Sequence, residues 1–104
     1  MRRIRVSAMA EQDLDDIWLY IARDSGSMET ADRFVQRIVE TFTLFSRTPE
    51  AGKLRNDIGP EVRSFPVGKY VIYYRIHARN VVISRVIHGM RDQHAAYQTE
   101  SDPT

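Results

Sequence analysis

The chain has no cysteine. That excludes a thiol nucleophile, a CxxC redox pair, an iron–sulfur cluster and a thiolate zinc site, and it removes disulfides from any argument about compartment. Long apolar runs are also missing. None approaches the roughly 18 residues of a membrane span. Met1-Arg2-Arg3 leads into Ile4-Arg5-Val6-Ser7 instead of an apolar signal core, so a cytoplasmic protein without membrane contact is expected. The five glycines are scattered and form no phosphate-cradling loop. His77, His88 and His94 lack metal-ligand spacing on a shared element, so neither metal nor cofactor is expected. His88, Asp92 and Ser84 can be drawn as a triad, but no nucleophile elbow accompanies them. One further absence is local: residues 63–91 contain no Asp or Glu.

What remains is the composition of one globular domain: 104 residues, 42% hydrophobic, 28% charged, formal net charge +1. A chain of this length buries about two-thirds of its unfolded surface and folds without metal or disulfide. The charge is unevenly placed. Residues 1–40 hold six basic and eight acidic residues. The acid-free stretch holds Arg63, Lys69, Arg75, Arg79, Arg85 and Arg91. Such a segment suits an anionic partner, either nucleic acid or an acidic protein. Thirteen of the fifteen basic residues are Arg. The guanidinium fork suits phosphate and carboxylate, although a GC-rich genome produces the same ratio.

The hydrophobic period changes along the chain. Arg2 to Val6 alternates like a short strand, and Ser7 can cap the helix that follows. Ala10, Leu14, Ile17, Trp18 and Ile21 form one helical stripe, with Trp18 expected in the core. Tyr20 lies off that stripe, where an exposed ring would serve a protein interface. The helix should stop near Asp24-Ser25-Gly26. Ser27 caps a second stripe of Ala31, Phe34, Val35, Ile38, Phe42 and Phe45, ended by Pro49 and Gly52. A short Gly/Ser turn between two such helices makes an antiparallel αα-hairpin.

From Val62 the period is two. Val62 to Val67 contains Pro66, which marks an edge or a bulge. Lys69 to His77 places Tyr70, Ile72, Tyr74 and Ile76 on a core face, and Lys69, Val71, Tyr73, Arg75 and His77 on the other. Ala78-Arg79-Asn80 is a tight reversal, with Asn80 suited to a left-handed backbone. Val81 to Ile87 is apolar on both faces, as in a covered central strand. The expected fold class is α+β: an N-terminal strand, an antiparallel αα-hairpin, then a three-stranded antiparallel meander. The helices should pack on one sheet face and leave the other to the basic residues. Residues 1–92 form the domain on this reading, and 93–104 form a flexible C-terminal tail.

The ordered set of segments resembles a known family. Ala10-Glu11-Gln12-Asp13-Leu14-Asp15-Asp16-Ile17-Trp18-Leu19-Tyr20-Ile21-Ala22 resembles the first helix of ParE-type toxins, and Ala31-Asp32-Arg33-Phe34-Val35 their second. Pro49-Glu50-Ala51-Gly52 is similar to their post-helix turn. Residues 62–75 (VRSFPVGKYVIYYR) and 85–92 (RVIHGMRD) follow the same pattern, so the likeness covers about residues 2–92. The ParE/RelE superfamily comprises toxins of type II toxin–antitoxin modules, associated with growth inhibition and plasmid stabilisation. ParE members inhibit DNA gyrase and trap it on cleaved DNA. RelE members cleave mRNA in the ribosome, and the shared fold does not separate the two.

The resemblance implies a cognate antitoxin, ParD-like or similar, that binds the toxin directly as a hetero-oligomer. For a RelE-type endoribonuclease, Lys53, Arg55, Arg63 and Arg85 fall on comparable positions, and His88 is the nearest substitute for a missing C-terminal aromatic. The ending at Met90-Arg91-Asp92 favours gyrase inhibition, for which no catalytic residue is expected. Target-binding candidates are then Arg63, Arg75, Arg85, His88, Arg91 and Asp92. Antitoxin-binding candidates are Tyr20, Arg63, Tyr73 and Arg85. A plain nucleic-acid-binding module using the basic face is the third class.

Overall fold

The chain is described by a computed structural model over residues 2–101. Strand β1 (Arg3–Val6) leads directly into helix α1 (Ala8–Ser25). Ser7 accepts from the Ala10 amide at 3.0 Å, satisfying a first-turn donor as the sequence suggested. Gly26, at φ 69, ends α1 in a left-handed conformation that costs glycine nothing. Ser27 caps α2 (Met28–Arg47) through the Thr30 amide. A single 3-10 turn (Pro49–Ala51) then leads to β2 (Lys53–Leu54). The meander follows as β3 (Arg63–Val67), β4 (Tyr70–His77) and β5 (Asn80–His88), and α3 (Gln93–Ser101) closes the described chain. Among the described residues, no helix is long and apolar enough to cross a membrane.

The sheet has five strands in the order β1-β5-β4-β3-β2. The β1 strand pairs parallel to β5, and all other pairings are antiparallel. The three-stranded meander is therefore extended on both sides, by β1 and by the two-residue β2. Pro66 sits on β3 beyond the reach of β2, so its missing N–H faces no neighbour. β5 is internal, as its two apolar faces suggested.

Both helices pack on one face. Ile17, Ile38, Phe42 and Phe45 meet Ile72, Tyr74, Val81 and Ile83 in the main core, with Ile4 and Val6 of β1 against them. Phe45 stacks on Tyr74 at 4.0 Å between centroids and 16°, and Phe65 meets Phe45 edge-on at 5.5 Å. Such aromatic pairs add roughly 0.5–1.5 kcal/mol beyond their buried area. Trp18 is half-buried, and its Nε1 donates to Asp32 Oδ1 at 2.7 Å, tying the two helices together.

Three expectations are corrected. First, the opposite sheet face is not simply basic. Half of it carries a second core of Ile58, Val62, Tyr73, Ile87, Ala96 and Tyr97, with Val71 against it. Second, the segment after residue 92 begins as α3, with Ala96 and Tyr97 buried at 5% and 6% exposure, so the domain extends past 92. Residues 102–104 of the expected tail lie outside the described residues. Third, the left-handed residue of the β4–β5 turn is Ala78, at φ 54, and not Asn80, which pairs with His77 as the first residue of β5. The register of β5 breaks at a bulge. Tyr73 faces Arg85 but Tyr74 faces Ile83, so Ser84 is the extra residue. The bulge lies where β1 ends, and the Ser84 carbonyl accepts from the Ser7 hydroxyl at 2.9 Å.

Candidate functional site

At the bulge the chain builds a buried ion pair. β1 stops opposite Ile83, so the next part of β5 lacks a neighbouring strand. Asp13 of α1 fills that place. Its carboxylate accepts from the Val86 amide at 2.9 Å and from Arg85 Nε and Nη2, both at 2.7 Å. Arg85 Nη1 donates to the Ala96 carbonyl of α3 at 2.9 Å. The Arg85 side chain is 0% exposed. A bidentate pair with its lone pairs and donors engaged is the arrangement that lets two charges be buried. Arg85 is therefore withdrawn from the catalytic, target-binding and antitoxin-binding sets: its guanidinium faces no solvent and joins α1 to α3.

Tyr73 is withdrawn from the antitoxin-binding set for the same reason. It is fully buried, and its hydroxyl donates to Gln93 Oε1 at 2.6 Å. Tyr97 meets its ring edge-on at 5.5 Å. Burial raises the pKa of Tyr73, and of Tyr70 and Tyr74 as well.

The other basic candidates fall into separate neighbourhoods. Arg63 is half-buried, and its Nη1 donates to the Gly52 carbonyl at 2.8 Å. Beside it the Tyr74 hydroxyl donates to the Pro49 carbonyl and accepts from the Gly52 amide. A Cβ on Gly52 would lie 2.7 Å from Tyr74, so glycine is required at that approach. Arg63 and Tyr74 thus brace the turn into β2. Lys53 is exposed on β2, across from Ser64. Arg55 grips Asp57 through two 2.9 Å bonds, and His94 Nε2 lies 3.1 Å from the same carboxylate. The Arg55 guanidinium holds the Asp57 carboxyl far below the usual carboxylate range, and its own pKa is raised in turn.

His88 ends β5 at the meeting point of three shallow depressions of about 140, 320 and 350 Å³. Its ring stands edge-on to Tyr70 at 5.0 Å, and Nδ1 accepts from the Met90 amide at 3.0 Å. One depression runs toward Tyr20, Asp24 and Phe34 on the helices, another toward Asp16 and Arg91, and the third toward Lys69 and Met90. Tyr20 is 60% exposed and Met90 87% exposed, so apolar surface and mixed charge share this groove. Asp92 caps α3 through the Ala95 amide at 3.2 Å. Arg75 is exposed elsewhere, on the outer sheet face.

The structure thus brings Tyr20 and Arg91 to neighbouring depressions that meet at His88. It keeps Arg63 and Lys53 near β2 and Arg75 on the outer face. Asp13, Asp57, Gln93 and His94 were missed as partners. For Asp13 a signal existed: it falls three residues after Ala10 and four before Ile17, on the apolar stripe itself. Among the described residues, no three His, Asp or Glu side chains are placed to hold a metal ion.

Comparison with known proteins agrees with this architecture. The family model for the ParE toxin of the type II toxin–antitoxin system parDE matches residues 4–93. Toxin ParE1 of Caulobacter vibrioides is 32% identical over 88 residues, spanning 85% of this chain and 90% of that protein. Toxin ParE3 of the same organism is 29% identical over 89 residues, spanning 86% and 88%. A structure of the chromosomal ParDE system from P. aeruginosa superposes with a TM-score of 0.75 at 24% identity, over 85% of this chain and 96% of that one. The toxin–antitoxin complex RelBE2 from Mycobacterium tuberculosis contains a chain that superposes with a TM-score of 0.63 at 28% identity, over 84% and 96%. With the matched segment running from β1 to the start of α3, the chain belongs to the ParE toxin family of type II toxin–antitoxin systems.

Proposed function

We propose that the chain inhibits DNA gyrase and is neutralised by direct binding of a cognate antitoxin. The observation that carries the first half is the burial of Arg85. A nuclease acting on RNA needs basic groups that stabilise the phosphorane and a nearby group that moves protons. Of the four basic candidates, Arg85 is sealed against Asp13, Arg55 is held by Asp57, Arg63 by the Gly52 carbonyl, and Lys53 alone is exposed, on β2. His88 lies at a different place, at the end of β5 beside Tyr70. What stays available is a surface of exposed side chains suited to binding a protein. A toxin that acts by binding needs no convergent catalytic groups.

The antitoxin half rests on the family and on the groove around His88. Tyr20 and Met90 offer apolar anchors there, and Lys69, Arg91 and Asp24 offer charge at its rim. Aromatic anchors with a polar rim are the usual composition of a protein-binding surface. Tyr20→Ala should weaken antitoxin binding at least tenfold in a titration, and unchanged affinity would remove the groove from the account. The gyrase reading is tested by plasmid supercoiling with purified protein. Lost supercoiling with accumulated cleaved plasmid supports it. No effect on gyrase, together with mRNA cleavage in a translating extract, transfers the protein to ribosome-dependent RNA cleavage.

A further inference from the structure

We infer that the turn end of the outer sheet face is a binding surface for the phosphate backbone of duplex DNA. This inference rests on the gyrase reading, and it names the second component of that target.

The surface follows from register. Ile4 and Val6 point into the main core, so the alternation of β1 turns the exposed Arg3 and Arg5 to the other face. On β4 the same alternation turns Arg75 and His77 outward, between the core residue Tyr74 and the turn. β5 lies between them. Arg5 and Arg75 both pair with Val82, and Arg3 and His77 both pair with Asn80. Two rows therefore cross three strands, one with arginine at both ends and one with arginine and histidine. Strand spacing sets Arg5 about 10 Å from Arg75, and strand rise sets Arg3 about 7 Å from Arg5. Arg79 stands exposed in the adjoining turn.

The charge on this surface is uncompensated. No Asp or Glu occurs on β1, β4 or β5. Arg3, Arg5, Arg75 and Arg79 make no ion pair with any described residue. The acid-free stretch of the sequence thus divides in two: Arg85 is consumed inside, while Arg75 and Arg79 join Arg3 and Arg5 outside. The second core covers the half of the face near Tyr73 and Ile87, and its loop reaches the Arg75 guanidinium at Gly59, while Arg3, Arg5, Arg75 and His77 all remain exposed.

Duplex DNA fits this chemistry better than the alternatives. Guanidinium forks bind phosphate oxygens in pairs. Single-stranded nucleic acid would call for aromatic platforms on which bases stack. The outer positions here are arginine, histidine, valine and asparagine, and the nearest tyrosine, Tyr73, is buried. A protein partner would call for an apolar anchor at the centre. The centre here is the half-buried Val82.

The test measures binding of the full chain to a labelled duplex of about 30 base pairs, without gyrase, across a salt series. Four phosphate contacts predict a logarithmic salt slope of about −3.6, hence a roughly 100-fold loss of affinity between about 50 and 200 mM salt. Arg5→Glu with Arg75→Glu should abolish binding at low salt, and Arg5→Gln with Arg75→Gln should reduce the slope by about 2. Arg33→Glu on α2 should bind like the parent. Melting curves confirm that these surface variants fold. Three results would overturn the surface: no binding of the parent at low salt, an unchanged slope in the glutamine pair, or stronger binding to single-stranded RNA of equal length. A parent that poisons gyrase yet fails to bind naked duplex overturns this inference alone. A parent that binds duplex through these arginines but leaves gyrase untouched overturns the gyrase reading alone.

Discussion

Asp13 and Arg85, 72 positions apart in the chain, meet through two 2.7 Å hydrogen bonds, with the Arg85 side chain fully buried and that of Asp13 8% exposed. The pair fastens the first helix to β5 at the point where β1 runs out, and Arg85 extends the link to α3. Removing one partner leaves a charge buried without compensation. Arg85→Met should therefore cost about 3–5 kcal/mol of stability. Adding Asp13→Asn restores neutrality and keeps an acceptor for the Val86 amide, so the double variant should be less damaged than the single costs summed. Chemical denaturation of all four proteins in the cycle measures this.

Much of the fold was legible from periodicity. The stripe from Phe34 to Phe45 and the alternating Tyr70, Ile72 and Tyr74 stand on their expected faces. The exact role of Arg85 was not legible, because a basic residue in an acid-free segment reads as surface charge until its partner is known. That partner lies in the acidic front part of the chain, where Asp13 reads as one of several dipole-favouring carboxylates. The bulge at Ser84 was equally hidden, since it depends on where β1 ends. The second core escaped notice because its pieces are short and dispersed: Ile58 and Val62 come from the loop before β3, Tyr73 from β4, Ile87 from β5 and Tyr97 from α3. Candidate site residues suffered most: Arg55, Arg63, Arg85 and Asp92, chosen for their charge, hold parts of the fold in place.

The C-terminal segment offers a clean contrast between the two views. A flexible tail could be deleted without cost. Ala96 and Tyr97 instead fill the second core, and the Ala96 carbonyl receives Arg85. Ending the chain at Asp92 should lower stability by more than about 2 kcal/mol, the order of one large buried side chain. The melting temperature of the truncated protein checks this.

Ala78 holds φ 54 in the turn between β4 and β5, a conformation that crowds its Cβ. Glycine has no such penalty, and its greater freedom in the unfolded chain offsets only part of the gain. Ala78→Gly should raise stability by about 0.5–1 kcal/mol, read from the shift in denaturation midpoint.

Tyr70, Tyr73 and Tyr74 have pKa values raised above 10.0 by burial. Their phenols stay protonated in the folded chain at a pH where the unfolded chain has begun to lose those protons. The native state then binds more protons, so stability falls as pH rises. The contribution is fully present below pH 10.0 and is lost above it. Denaturation midpoints measured between about pH 8 and 11 should stay flat and then decline, with the decline reduced in Tyr73→Phe.

On the proposed function, this ParE-family chain acts on gyrase by binding and not by cutting RNA. The most direct measurement is gyrase supercoiling of a plasmid with purified chain, scored for lost supercoils and for linear or nicked product, with and without the antitoxin. The account predicts inhibition with accumulated cleaved plasmid, reversed when the antitoxin is added. Full gyrase activity at saturating chain, alongside transcript cleavage during translation, would contradict it.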